Sequence, residues 1–118
     1  MGDLRMSEML AMQRALWEKN KEKWSPLEPA FARNSLLWMM EELGEVIAII
    51  KKRGEADIMG DGVLRNEFVT ELADVLMYYN NILLRYSISP SEISEAYRTK
   101  HEKNMGRDFG QEHKNFLS

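Results

Sequence analysis

Large apolar residues recur at helical spacing through most of this chain, and glycine and proline gather at three places between them. Leu36, Met40, Leu43, Ile47 and Ile50 form one stripe, which predicts the core face of a helix. Leu64, Phe68, Leu72, Val75, Tyr79 and Ile82 form another. The breaks are "WSPLEPAFA" (24–32), "RGEADIMGDG" (53–62) and "SISPSE" (87–92). In the last of these, Ser89 suits an N-cap, Pro90 a first helical turn, and Glu92 a capping box. The pattern therefore predicts four helices, roughly 4–23, 31–53, 63–87 and 90–105, followed by an irregular tail. Short connections favour antiparallel neighbours, so the expectation is an all-α bundle of four to five helices.

Composition narrows the possibilities. The 118 residues suit one domain spanning 1–118, and 44% hydrophobic with 30% charged residues is ordinary for a globular chain. A net charge of −3 argues against nucleic acid as a partner, because phosphate binding needs a clustered positive field. With no cysteine, disulfides, thiolate metal sites and cysteine nucleophiles are excluded, and a reducing cytoplasm is permitted. "MGDLRMSEML" lacks the apolar stretch of a signal peptide, and no run has the length of a membrane span. Met6 is a second candidate start, which would leave residues 1–5 outside the native chain. The nine methionines read as adaptable core filler.

The stretch "WMMEELGEVIAII" (38–50) complicates this picture. Glu41, Glu42 and Glu45 share an arc of roughly 100° away from the apolar stripe. Trp38 stands a turn before them and Ile49 a turn after, where a solvated face would carry polar residues. Burying ionised carboxylates costs several kcal/mol each unless they are paired or bind a metal. On the third helix, Glu67, Glu71, Asp74 and Tyr78 line the edge of the apolar stripe. If the second and third helices pack antiparallel, the pairs Glu42/Glu45 and Glu71/Asp74 can face each other. An all-oxygen set of this kind suits a hard cation such as Mg²⁺ or Mn²⁺. Either motif alone is compatible with an ordinary solvated face, and Glu67, Asn81 and Arg85 give "ELAD" the look of an exposed strip. Their conjunction is the specific signal.

Glu41-Glu42-x-x-Glu45 followed by Glu71-x-x-Asp74 resembles the EExxE…ExxD signature of the all-α nucleoside triphosphate pyrophosphohydrolases. That superfamily includes MazG, the dimeric dUTPases, the MazG-like dCTP pyrophosphatases and phosphoribosyl-ATP pyrophosphatase. The resemblance runs through "EELGEVIAIIKK", "ELADVLMYYNNILLR" and "KHEKNMGRDF", about residues 30–109. In the last stretch Lys100, Asn104 and Arg107 match a Lys/Asn/Arg set found in MazG-like sequences, and a continued helix would align them toward one anion.

The resemblance implies cleavage of an NTP or dNTP between its α and β phosphates, giving a monophosphate and pyrophosphate in nucleotide-pool house-cleaning. It implies metal-ligand roles for Glu42, Glu45, Glu71 and Asp74, with Mg²⁺ as cofactor and Mn²⁺ as its alternative. Glu41 would hold a second metal or orient and deprotonate the attacking water. Lys100, Asn104 and Arg107 would grip the phosphates. Trp38 is placed either to stack on a base or sugar or to pack in a core, and Lys52 to reach past the carboxylate face into water. The doubly apolar second helix, together with the family's habit, implies a homodimer or a homotetramer built as a dimer of dimers. The length fits the single-domain type, with a phosphoribosyl-ATP pyrophosphatase-like enzyme or a non-catalytic metal-binding module as alternatives. A di-iron bundle wants Glu-x-x-His pairs, and Arg98 and Gly110 stand three residues before His101 and His113.

Overall fold

A computed structural model describes residues 2–108, 110 and 111; Phe109 and His113 lie outside these. The described residues form helices and no strand. In order they are α1 (Met6–Asn20), a short 3₁₀ turn (Pro29–Phe31), α2 (Ala32–Gly60), α3 (Gly62–Arg85) and α4 (Pro90–Met105). The chain divides into two compact units, Met1–Ile88 and Ser89–Ser118. No described helix is long and apolar enough to cross a membrane.

In the first unit the pairing of α2 with α3 is the most extensive helix contact, and α1 packs on α3. A single residue, Asp61, joins α2 to α3: its backbone is extended and its Oδ1 accepts from the amides of Val63 and Leu64 at 3.0 and 3.3 Å. An N-cap with no loop beyond it folds the chain back on itself. The register agrees, since Ser35 meets Asn81 while Glu42 meets Glu71 and Asp74, so positions rise on one helix as they fall on the other.

The 53–62 connection, expected to be irregular, is mostly helical. Only Gly54 departs, with φ 79° and ψ 164°, a conformation essentially reserved for glycine. Arg53 spans the break through Asp57 at 3.3 Å and Asp61 at 3.5 Å. The other end of α3 closes in a Schellman turn, with Ile88 N bonded to Leu83 O and Ser87 N to Leu84 O. Ser87 takes the left-handed position there, φ 55°.

Which face of α2 is inside reverses the sequence expectation. Ala32, Ser35 and Val46 are buried and Met39, Glu42 and Ile49 half-buried, spaced three and four apart along the seam with α3. The stripe read as core is on the outside: Leu36 and Leu43 are exposed, Met40 and Ile47 to 66% and 55%, and only Ile50 is half-buried. From α3, Glu71 and Asp74 meet Glu42, Tyr78 meets Trp38 and Asn81 meets Ser35, while Leu64 and Arg85 are buried and Phe68 and Val75 half-buried. The carboxylates thus sit within the helix pair. Periodicity alone could not show this, because one helical period describes a seam inside the chain and a seam left open to a partner equally well.

In the second unit, Ser89 Oγ caps α4 by accepting from Glu92 N at 3.1 Å, with Pro90 in the first turn, as its sequence indicated. The helix stops at Met105 and Gly106 forms its C-cap.

Candidate metal centre and adjoining cavity

Midway along the seam, Glu42 from α2 and Glu71 and Asp74 from α3 bring one carboxylate oxygen each to within 4.8 Å of one another. Spacing three apart on α3 puts Glu71 and Asp74 on one side, and the antiparallel register delivers Glu42 opposite them. All three are half-buried. Loss of water raises the Glu42 pKa above the ordinary glutamate value, and a hydrogen bond with Glu71 and the charges of Asp74, Glu71 and Glu45 raise it further. Among the described residues no lysine, arginine or histidine forms an ion pair with any of the three; the four salt bridges lie elsewhere. A group of hard oxygen donors with unbalanced charge fits a divalent cation, and it lacks the nitrogen and sulfur donors that zinc or copper favours.

Three of the four expected ligands therefore come together. Glu45 is exposed and stays outside the group, acting on Glu42 through its charge. Glu41 is exposed as well, with its charge reaching Tyr78, whose pKa is raised first by burial and then by Glu42, Asp74 and Glu41. Lys52 is exposed, in keeping with a solvated ammonium.

A cavity of about 660 Å³ opens beside the acidic group, with Glu42 and Asp74 among its lining residues. Trp24, Trp38 and Tyr78 supply aromatic wall, and the Trp38 and Tyr78 rings meet at 6.2 Å with a 53° tilt. Trp38 thus faces a cavity and stays partly exposed, which favours a stacking surface over a core position. The buried end holds Ser35, Asn81 and Arg85, at 1%, 6% and 3% exposure. Ser35 Oγ donates to Asn81 Oδ1 at 2.7 Å, and Arg85 Nε donates to the same oxygen. Arg85 Nη1 donates to Ser25 Oγ at 3.0 Å and to Pro26 O at 2.7 Å. Burial lowers the Arg85 pKa from its ordinary value, and no described carboxylate pairs with it.

Asn81 and Arg85 are not the exposed strip their spacing suggested. The 24–26 connection, held to α1 by Trp17 Nε1 donating to Ser25 O at 2.8 Å, folds over them. Trp24, Ser35, Asn81 and Arg85 were missed as site residues because their neighbourhood depends on contacts 46 to 60 residues apart. An arginine and two asparagines in the otherwise apolar end of α3 were the one available hint.

Lys100, Asn104 and Arg107 belong to the second unit. Lys100 and Asn104 lie on α4, whereas Arg107 follows its C-cap, so the three do not share one helix face as expected. Arg107 still turns back, its Nη1 donating to Asn104 Oδ1 at 3.2 Å. Compared with models of protein families, with curated proteins and with solved structures, the chain matches none.

Proposed function

We propose that this protein is a metal-dependent nucleoside triphosphate pyrophosphohydrolase of the MazG-like type. The observation that carries the reading is the Glu42–Glu71–Asp74 group, with no ion-pair partner among the described residues, set at the side of an aromatic-walled cavity. Pyrophosphohydrolysis asks for neutralisation of a polyanionic chain, a positioned water and a place for the nucleoside. Glu42, Glu71 and Asp74 would hold a Mg²⁺ or Mn²⁺ ion, which would supply the neutralising positive charge. Glu41 and Glu45, exposed one turn apart, serve as base or orienting group for the attacking water, whose proton passes to a carboxylate oxygen. The Trp38 and Tyr78 surface excludes water from one side of the bound nucleoside. The resemblance assigns the grip on the phosphates to Lys100, Asn104 and Arg107.

The same reading includes a homo-oligomer, a dimer or a dimer of dimers. It is supported by the outward stripe of Leu36, Met40, Leu43 and Ile47, which one chain leaves in water. The test of activity is incubation with a panel of NTPs and dNTPs, with Mg²⁺ and with EDTA, separating pyrophosphate from single phosphate. Metal-dependent monophosphate plus pyrophosphate upholds the proposal, and loss of that activity in Glu71→Gln ties it to the acidic group. Release of single phosphate, or metal-independent turnover, overturns it.

A further inference from the structure

The buried end of the cavity is rich in hydrogen-bond donors. Asn81 Oδ1 accepts from both Ser35 and Arg85, which uses its two lone pairs. A guanidinium can only donate, so Arg85 fixes which end of the Asn81 carboxamide is oxygen. The Nδ2 hydrogens of Asn81 then find no acceptor among the described residues, although the side chain is nine-tenths buried and lines the cavity. Arg85 engages Nε and Nη1 with the protein, and no described acceptor takes Nη2. Asn81 Nδ2 and Arg85 Nη2 are therefore the buried donors left for a ligand, beside the lone pairs that Ser35 Oγ keeps after donating to Asn81. Gln13 and Asn34 also line the cavity, but Asn34 is exposed and Gln13 half-buried, so both can turn and stay hydrated. A site discriminates through the groups it desolvates.

The two ends of the cavity are matched in separation. Asp74 and Asn81 lie seven residues apart on α3, about 10 Å along the axis, with Tyr78 between them. A sugar and a base can bridge that interval, with phosphates at the acidic end, the ring against the aromatic wall and the exocyclic edge at the donors.

We infer that Asn81, oriented by Ser35 and Arg85, makes this cavity selective for nucleotides whose base carries an exocyclic keto oxygen. These are uracil, thymine, guanine or hypoxanthine; cytosine and adenine present an amino group instead. The inference rests on the pyrophosphohydrolase reading for where the phosphates lie. A keto oxygen accepts from Asn81 Nδ2 and is drawn to the guanidinium; an amino group there sets donor against donor and leaves buried hydrogens unpaired. Asn81 is here a specificity-determining residue with no part in the bond-breaking step.

The experiment compares kcat/KM with Mg²⁺ for dUTP against dCTP, and for dITP against dATP, in the wild-type protein and in Asn81→Asp. Aspartate keeps the oxygen that meets Ser35 and Arg85 and replaces the donor by an acceptor. Each keto substrate is expected to exceed its amino counterpart by about tenfold or more, and Asn81→Asp to reduce or invert both ratios. Equal rates across each pair, or a variant that slows all four substrates alike, would overturn the inference and leave the proposed activity standing. If no nucleotide is hydrolysed, the activity reading fails. Quenching of Trp24 and Trp38 fluorescence by dUMP and dCMP then decides the cavity alone. Tighter binding of dUMP, lost in Asn81→Asp, upholds the selectivity, and equal or absent binding of the two ends it. Should Asn81→Asp fail to fold, the wild-type ratios still decide.

Discussion

The inner seam of the α2–α3 pair mixes charge with its apolar contacts, whereas the outer face of α2 is largely apolar. The inner seam holds three half-buried carboxylates and a buried serine–asparagine–arginine cluster, while the outer face of α2 presents leucine, methionine and isoleucine to water. Folding for stability alone would exchange them, because buried apolar area is the main favourable term and buried charge opposes it. The arrangement makes sense if each face is completed from outside the chain: the seam by a cation and a ligand, the stripe by a second copy. The polar groups then cost stability in the isolated chain and become assets when their partners arrive.

That contrast can be broken at either face. The largest effect is expected at the acidic group. Glu42→Gln, Glu71→Gln or Asp74→Asn should lower Mg²⁺-dependent pyrophosphate release by about a hundredfold or more. Steady-state kinetics checks this, and near-normal kcat/KM in all three would remove the site. At the buried end, Arg85→Leu removes one of the two donors to Asn81 Oδ1 and takes the guanidinium from Ser25 Oγ and Pro26 O. The expected loss of stability is about 2 kcal/mol by urea unfolding. A change near zero would mean that the guanidinium is no keystone of the seam.

Charging the outer face should leave the seam intact. Met40→Glu with Ile47→Glu is expected to turn an oligomer into a folded monomer, read by light scattering coupled to size exclusion. A wild type that is already monomeric at micromolar concentration defeats the assembly reading.

The pH dependence of the metal-free protein sharpens the comparison further. Glu42 has a raised pKa in the folded state, so the folded chain holds its proton more tightly than the unfolded one. Its contribution is therefore greatest at low pH and is lost as pH rises from the ordinary glutamate range, about 4, through the raised value. Thermal unfolding in EDTA should show a fall across that window that Glu42→Gln flattens, and added Mg²⁺ should restore stability above it. The smallest effect belongs to Ser87, where glycine removes the left-handed penalty, with about 0.5–1 kcal/mol gained in denaturant unfolding.

Much of the architecture was legible along the chain. The breaks at 24–32 and 87–92 and the Ser89–Pro90 start of α4 depend on local sterics and capping, which neighbouring residues decide. Glu42, Glu71 and Asp74 were legible as members of a set of four with Glu45, because i, i+3 spacing and an antiparallel pairing make the pairs Glu42/Glu45 and Glu71/Asp74 face each other. Gly54 misled, since a single glycine with positive φ can kink a helix without ending it for long.

What the sequence by itself determined, then, is the helical class, the start of α4 and the meeting of carboxylates from α2 and α3, because each follows from spacing of a few residues or from one pairing rule. The tertiary structure alone decided which face of α2 is inside, that Glu45 stays apart from the trio, and that Asn81 and Arg85 are buried beside a cavity. Those outcomes turn on the 24–26 connection closing over α3 and on the rotation of α2 about its own axis. A helical period specifies the angles between side chains; only the neighbour that fills each direction sets which of them is the interior.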